Sequence, residues 1–379
     1  MSGSALNWRA FSSIAAAAGV ALCAAACGGR HPAATATAEE PVLNIYNWAD
    51  YIGSGTIAEF ERRTHIKVVY QYYDSNQTLE AKMLAGRSGY DIVSTTTAFF
   101  GRQIKAGAYT PLDRSKLTNW KNLDPAVLDT QAQSDPGNRY AVPYLHAMNG
   151  FVYNVDLVKA RMPDAPTGSL AMIFDPKVIA HFADCGVSFL DSPEDVIQLA
   201  LAYLHRDPNS PRAEDLQAAE QVVMAVRPYV RIFDSNDYWH QLASKEICLS
   251  IAWSSDYSVA QARAREDGTG ARLAFTLPKE GSNITYNALL IPASAPHPEA
   301  AHKFLNFILE PQVIAEITND IHYGNDNLAA RPFVKSAILS DPAVYPPPEL
   351  RAHLYLPAEL GPDYDRLRTR VWTHIKTGQ

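Results

Sequence analysis

Segments typical of β-strands alternate with segments typical of α-helices from residue 42 onward. Runs rich in β-branched and aromatic residues predict strands at Val42–Trp48, Ile66–Tyr73, Tyr90–Ser94, Ile247–Trp253 and Thr285–Ile291. Apolar residues at helical spacing and helix-starting residues predict helices at Thr56–Arg63, Leu79–Gly86, Glu214–Val226, Tyr257–Arg265 and Pro298–Leu309. This alternation indicates an α/β fold in which helices cover both faces of the sheets.

The composition is that of an ordinary globular protein, with 47% apolar and 19% charged residues. This balance excludes collagen-like, coiled-coil and wholly disordered chains. Residues 42–379 are long enough for two α/β lobes, and no internal repeat is visible. The net charge is −7 and no run of five basic residues occurs, so nucleic acid is not expected as a partner.

The N-terminal segment has the pattern of an export signal. Residues 10–29 carry no charge, follow the basic Arg9 and are rich in alanine, which predicts a signal peptide over residues 1–26. The run Ala-Ala-Ala-Cys-Gly-Gly around Cys27 resembles a bacterial lipobox. We therefore expect a periplasmic protein that is held to the membrane only by a lipid on Cys27, with residues 27–41 as a flexible tether. The alternatives are an uncleaved anchor and cleavage after Ala38, which would release a soluble protein.

The two cysteines of the folded part are Cys185 and Cys248, because Cys23 and Cys27 belong to the signal segment. In an exported protein two cysteines most simply form one disulfide. Two buried thiols are the alternative that the residues alone leave open.

Catalytic and cofactor-binding signatures are absent from the sequence. It contains no Gly-x-Ser-x-Gly elbow, no Walker loop, no His-Glu-x-x-His motif and no calcium-loop spacing. The 11 histidines include no pair at i, i+4 spacing. The sequence therefore predicts no catalytic residue, no metal site and no cofactor.

Three predicted strands end in chemically unusual residues, and ligands of open α/β sheets gather at the carboxyl ends of strands. These ends are Trp48–Tyr51, Ser94–Thr97 and Trp253–Tyr257. The first and third combine aromatic residues with a carboxylate, Asp50 or Asp256. A carboxylate beside aromatic faces suits an organic cation, whose charge pairs with the acid while its methylenes lie on the rings.

Each of these residues also has a purely structural interpretation. Trp48 and Trp253 could be core aromatics, and Asp50 and Asp256 could cap helices. Asp195 could complete a capping box with Ser192. His146, next to a strand-like segment, could face a cleft or be an ordinary satisfied histidine.

The sequence resembles the periplasmic polyamine-binding proteins of ABC importers, in particular those for putrescine. The likeness begins with LNIYNWADYI at Leu43–Ile52 and covers essentially the whole chain after residue 42. It continues through Ile66–Tyr70, Asp74–Asn76, Pro111–Asp113, Trp120–Asp124, Cys185–Asp191, Asp207–Ser210, Pro278–Gly281, Phe304–Asn306 and Arg366–Thr373.

The resemblance implies a two-lobed periplasmic binding protein of type II, closing on a ligand at a hinge that the chain crosses more than once. Lobe 1 is expected at 42–145 plus 276–333, and lobe 2 at 146–275 plus 334–379. It also implies a disulfide between Cys185 and Cys248, a monomer, and a transporter permease as the protein partner.

The ligand-binding positions that are carried over from the family fall into three groups. Trp48, Tyr51, Trp253 and Tyr323 match the cleft aromatics, and Asp50 and Asp256 match acids that meet amino groups. Four further positions depart from the family residues: Ala49 and Thr96 replace Ser, Asp195 replaces Glu, and Asn287 replaces Asp. His146 stands where the family has Trp. The change at Asn287 removes one charge from one end of the site.

The predicted function is capture of putrescine or a related small aliphatic polyamine for an ABC transporter. An alternative is a ligand with only one cationic end, because Asn287 replaces a family Asp. A secreted enzyme on this scaffold is disfavoured by the missing catalytic signatures, and a sensor would use the same closing cleft as an importer.

Overall fold

A computed structural model describes residues 41–49, 51–73 and 75–378. Its strands are β1 Val42–Trp48, β2 Lys67–Tyr73, β3 Ile92–Thr96, β4 Ala141–Asn154, β5 Val187–Phe189, β6 Ile232–Phe233, β7 Leu249–Trp253, β8 Leu273–Thr276, β9 Ser282–Leu290, β10 Gly324–Asn325 and β11 Leu354–Tyr355.

The first helices are α1 Thr56–Thr64, α2 Asn76–Leu84, α3 Thr97–Lys105, α4 Pro125–Gln131, α5 Val155–Arg161, α6 Ala171–Phe174, α7 Pro176–Ile179 and α8 Pro193–Tyr203. They are followed by α9 Ala213–Val226, α10 Tyr238–Ser244, α11 Ser254–Glu266, α12 Pro298–Ile308, α13 Pro311–Ile321, α14 Ser336–Leu339, α15 Pro348–Arg351 and α16 Pro362–Thr377. Short 3-10 segments lie at Arg114–Lys116, Thr118–Asn122, Ala180–Phe182, Arg227–Tyr229 and Leu328–Phe333.

The strands pair in the order β2-β1-β3-β9-β4-β7-β5-β6, with β8 and β10 on β4 and β11 on β9. The outer pairs β1–β2, β1–β3, β5–β6 and β5–β7 are parallel, while β9 and β4 pair antiparallel to their neighbours along this path. The predicted α/β class is confirmed, and both ends of the sheet contain the parallel strands that helical crossovers produce.

The long strand β4 joins two halves of the molecule. Its residues 141–148 pair with β9, and its residues 149–154 pair with β7 and β8. The two largest groups of buried apolar residues lie in different halves. One core is built around β5–β7 and helices α8–α9, with Phe151 and Trp372 among its members. The other is built around β1, α12 and α13, with Ile45 and Phe304 among its members.

These two cores match the expectation of two α/β lobes, whose exact limits stay a prediction. Val334, Ile338 and Val344 pack in the core that contains β1. Tyr364 and Trp372 of α16 pack in the other core. The chain therefore passes from the core that contains β1 to the other core along β4, returns between Leu273 and Leu289, and passes again between residues 345 and 363.

Helix α12 shows how local sequence determines the packing. It begins with Pro298, whose missing N–H is not needed in a first helical turn, and Glu299 follows in the same turn. Its buried residues recur at helical spacing, so that Phe304 and Ile308 face the core. The Phe304 ring meets the Phe60 ring of α1 edge-on, with centroids 5.0 Å apart.

Cys185 and Cys248 form a disulfide, as the family resemblance predicts. Their Cα atoms are 5.6 Å apart, within the usual range for such a bridge. Cys248 directly precedes β7, so the bridge ties the start of the strand that ends in Trp253.

His146 lies inside β4 at the point where that strand passes between the two cores, and only 7% of it is exposed. Its Nδ1 is 2.8 Å from Oδ1 of Asp326, and its Nε2 is 3.2 Å from the carbonyl oxygen of Val344. Both ring nitrogens are thus satisfied within the protein. Gly324 has to be glycine here, because a Cβ at that position would lie 2.1 Å from Nε2 of His146.

We expect the His146–Asp326 pair to make stability depend on pH. Burial lowers the pKa of His146, and the nearby Arg351 lowers it slightly more. The charge of Asp326, its hydrogen bond and the hydrogen bond to the Val344 carbonyl outweigh both effects, so the pKa is raised above 6.5. The stabilisation is therefore fully present below pH 6.5 and is lost as the pH rises through the raised value.

Urea unfolding of the wild type and of His146→Gln, at pH values on either side of 6.5, measures this effect. The free energy of unfolding of the wild type should fall relative to the variant as the pH rises. If the free energies of unfolding of the two proteins differ by the same amount at every pH, the pair does not titrate in this range.

Candidate functional site

The side chains of Trp48, Asn287 and Tyr51 form a hydrogen-bonded chain beside the carboxyl end of β1. The indole Nε1 of Trp48 donates to Oδ1 of Asn287 over 3.2 Å. Nδ2 of Asn287 donates to the hydroxyl of Tyr51 over 2.7 Å. The carboxamide of Asn287 therefore uses one acceptor and one donor to hold two aromatic rings.

Further aromatic rings support this chain. The Trp48 ring packs on Tyr73 with centroids 4.4 Å apart, and Tyr51 meets Tyr323 edge-on, also at 4.4 Å. Thr96, the last residue of β3, pairs with Asn287 in the β3–β9 register. We call the three aromatic residues Trp48, Tyr51 and Tyr323, together with the adjoining Thr96 and Asn287, the aromatic group.

In the other half of the molecule, Trp253 is the last residue of β7, and its side chain is hydrogen-bonded to Asp195. The indole Nε1 of Trp253 donates to Oδ2 of Asp195 over 3.1 Å. Ser192 Oγ donates to the same oxygen over 2.7 Å, and Nδ2 of Asn283 donates to Oδ1 over 3.1 Å. Donors from β7, from β9 and from the N-cap residue of α8 thus orient one carboxylate.

Asp256 is held by a different set of donors. The hydroxyl of Tyr238 donates to Oδ2 of Asp256 over 2.6 Å, and Ser255 Oγ donates to Oδ1 over 3.2 Å. The Tyr238 oxygen also accepts the backbone N–H of Trp253 over 3.1 Å. Trp253 is consequently linked to both acids: to Asp256 through its backbone and Tyr238, and to Asp195 through its indole. We call Trp253, Asp195 and Asp256 the acidic group.

The two groups lie close enough to affect each other's ionisation. Burial raises the pKa of Tyr51 well above its ordinary value, and the neighbouring Tyr323, Tyr144, Tyr73 and the charge of Asp256 add to the increase. Tyr323 in turn contributes to the raised pKa of Tyr238. The hydroxyls of Tyr51 and Tyr238 therefore stay protonated and neutral at physiological pH.

Residues 55–345 match the family model of the bacterial extracellular solute-binding proteins. The chain belongs to this family. It is 43% identical over 347 residues to the putrescine-binding periplasmic protein PotF of Escherichia coli, covering 91% of this chain and 94% of that protein.

Two further similarities agree with the family membership. The putrescine-binding periplasmic protein SpuD of Pseudomonas aeruginosa is 44% identical over 343 residues, covering 90% of this chain and 94% of SpuD. The crystal structure of the TpPotD lipoprotein of Treponema pallidum superposes with a TM-score of 0.76 at 25% identity. That superposition covers 88% of this chain and 99% of TpPotD. The predicted family and the two-lobed binding-protein fold are thereby confirmed.

In this solute-binding protein neither Asp256 nor Asp195 makes the helix-capping contact that was considered as its structural alternative. The N-cap of α11 is Trp253, and Asp256 is the third residue of the helix. Ser192 precedes α8, but its hydroxyl donates to Asp195 and makes no capping bond to a backbone N–H. Asp50 and Cys27, by contrast, lie outside the described residues, so their predicted roles stay predictions.

Sequence reasoning missed Tyr238 and Asn283 as partners of the two acids. Ser192, expected to form a capping box with Asp195, instead donates its hydroxyl to the Asp195 side chain. Tyr238 and Asn283 are 18 and 88 residues from the acids that they bind. A single sequence contains no pattern that would pair residues so far apart.

Among the residues that the structure describes, no group of three or more His, Cys, Asp or Glu side chains could hold a metal ion. Within the same ranges, no helix is long and apolar enough to cross a membrane.

Proposed function

We propose that the protein captures putrescine, or a related small aliphatic polyamine, between its two lobes and delivers it to the permease of an ABC transporter. The observation that carries this proposal is the double link of Trp253 to Asp256 and to Asp195. One aromatic side chain is thereby bordered by two oriented carboxylates, which is the arrangement that a diamine requires.

The chemistry follows from the two charged ends of the ligand. A buried ammonium group needs a partner of opposite charge, because an unpaired buried charge is strongly unfavourable. Asp256 and Asp195 each supply one negative charge, and Asp50 is proposed as a third acid of the site. The methylene chain between the nitrogens would lie on the indole of Trp253 and on the rings of the aromatic group, where the ammonium groups also gain cation–π attraction.

The names of the relatives support a ligand with two cationic ends rather than one, since both PotF and SpuD are putrescine-binding proteins. The alternative ligand with a single cationic end is therefore not favoured. Both relatives are periplasmic, and the proposed location of this protein is the same. A lipid anchor on Cys27, a monomeric state and the absence of catalysis complete the proposal.

Calorimetric titration with matched ligands tests the proposed function. Putrescine should bind, whereas n-butylamine should bind more weakly because it leaves one carboxylate without a cation. 1,4-Butanediol has a similar length without charge and should not bind measurably. Equal affinity for putrescine and n-butylamine would contradict a two-ended site.

Asn287→Asp should strengthen putrescine binding by roughly ten- to a hundredfold, the usual contribution of one charge-assisted hydrogen bond. The substitution is compatible with the local contacts, because an aspartate can still accept from Trp48 Nε1 and the Tyr51 hydroxyl can donate to it. The gain should be smaller for n-butylamine, which has only one charged end. Calorimetric titration of both ligands into both proteins measures the difference.

Asn325→Asp is a suitable control for Asn287→Asp, because Asn325 is also a buried asparagine but bonds to Thr318 and Tyr345 instead of the aromatic group. If a folded Asn287→Asp protein binds putrescine no better than the wild type does, then Asn287 does not lie beside an ammonium group.

A further inference from the structure

Tyr238 is the first residue of α10, and none of its surface is exposed. Its hydroxyl oxygen lies 2.6 Å from Oδ2 of Asp256 and 3.1 Å from the backbone nitrogen of Trp253. Its ring also meets the Trp253 ring edge-on, with centroids 6.4 Å apart. One buried side chain thus contacts two of the residues on which the proposed site depends.

The direction of each hydrogen bond follows from the donors that are available. A backbone N–H can only donate, so the Tyr238 oxygen accepts from Trp253. An ionised carboxylate can only accept, so the hydroxyl hydrogen of Tyr238 points at Asp256. Burial raises the pKa of Tyr238 well above its ordinary value, and Asp256 raises it further, so the hydroxyl keeps this hydrogen. The resulting bond is charge-assisted and stronger than a bond between neutral groups.

We propose that Tyr238 is a positioning residue of the cleft, which keeps the Asp256 carboxylate ionised and oriented for the ligand's ammonium group. This inference rests on the proposed function and adds a residue that acts through Asp256 without touching the ligand. A carboxylate fixed before binding loses less conformational freedom when the ligand arrives. A donor to the carboxylate also stabilises its ionised form over its protonated form.

Tyr238→Phe removes the hydroxyl and keeps the ring. Putrescine affinity at neutral pH should fall by roughly ten- to a hundredfold. The loss of affinity on acidification should also begin at a higher pH than in the wild type, because Asp256 then takes up a proton more readily. Calorimetric titration of putrescine from acidic to neutral pH measures both effects.

The titratable groups around this contact allow the pH profile to be interpreted. Asp256 and Tyr323 raise the pKa of Tyr238, and the charge of Asp256 also raises the pKa of Tyr51 in the aromatic group. Tyr238 and Tyr51 stay protonated throughout the range, so the change between the two profiles reports on the carboxylate. Asp195 is the same in both proteins, so it does not account for a difference between their profiles.

Tyr364→Phe is the matched control, since Tyr364 is buried in the same core and should leave putrescine affinity unchanged. Unchanged affinity in Tyr238→Phe, or a loss by the same factor at every pH, would overturn the positioning role, because a merely structural residue behaves in that way. A wild type that binds no putrescine would instead overturn the proposed function.

If the Tyr238→Phe variant does not fold, an NMR experiment on the wild-type protein tests the same inference. With ring-labelled tyrosine and labelled tryptophan, NMR should detect a slowly exchanging tyrosine hydroxyl proton close to the amide proton of Trp253. The same hydroxyl signal should shift when acidification protonates Asp256. Absence of the contact, or a hydroxyl signal that does not respond to acidification, would overturn the inference.

Discussion

Replacing Trp253 with alanine should reduce putrescine affinity by about 2–4 kcal/mol, or roughly thirty- to a thousandfold. The variant removes the indole face on which the methylene chain is proposed to lie. It also removes the Nε1 donor that orients Asp195. Because both ends of the ligand depend on Trp253, this substitution is expected to have the largest effect of any aromatic change in the cleft. Calorimetric titration measures the affinity.

Trp120→Ala provides the control for that measurement. Trp120 lies in the 3-10 segment Thr118–Asn122 and packs under the guanidinium of Arg114. Its loss should affect stability modestly and leave putrescine affinity unchanged. Retention of wild-type affinity in a folded Trp253→Ala protein would exclude Trp253 from the ligand site.

Asp256→Asn should weaken putrescine binding by about 2–5 kcal/mol, the usual effect of removing one partner of a buried charge pair. Asparagine has nearly the same shape and can still accept a hydrogen bond from Tyr238, so the change isolates the charge. The affinity for n-butylamine should fall as well if its ammonium group occupies the Asp256 end. Titration of both amines into the variant checks this expectation.

Asp267→Asn is the matched control, since Asp267 follows the opposite end of α11 and pairs with Arg263 at the surface. It removes the same charge without changing the cleft, and its putrescine affinity should equal that of the wild type. If both variants lose affinity equally, the effect reflects net charge and not a specific contact.

The parts of the site that follow strand ends could be predicted from the sequence. β1 occupies Val42–Trp48 as expected, and β7 ends at Trp253 as expected. Short-range patterns determine where a strand ends, so the aromatic and acidic residues that follow could be recognised as candidates. The other predicted strands and helices are also present, with ends that differ by a few residues.

The contacts within the site could not be predicted, because they join distant parts of the chain. Asn287 meets Trp48 across 239 positions, and Asp195 meets Trp253 across 58. Neither pair belongs to one periodic segment. The full length of strand β4 could not be predicted either, since its 14 residues include Pro143 and Gly150, which interrupt a strand pattern.

A crystal structure of the protein with bound putrescine would test the central claim most directly. We expect one nitrogen within hydrogen-bond distance of Asp256, the other on the Asp195 side of Trp253, and the four methylenes against the indole face. Putrescine bound outside this cleft, or with neither nitrogen near Asp256, would contradict the account.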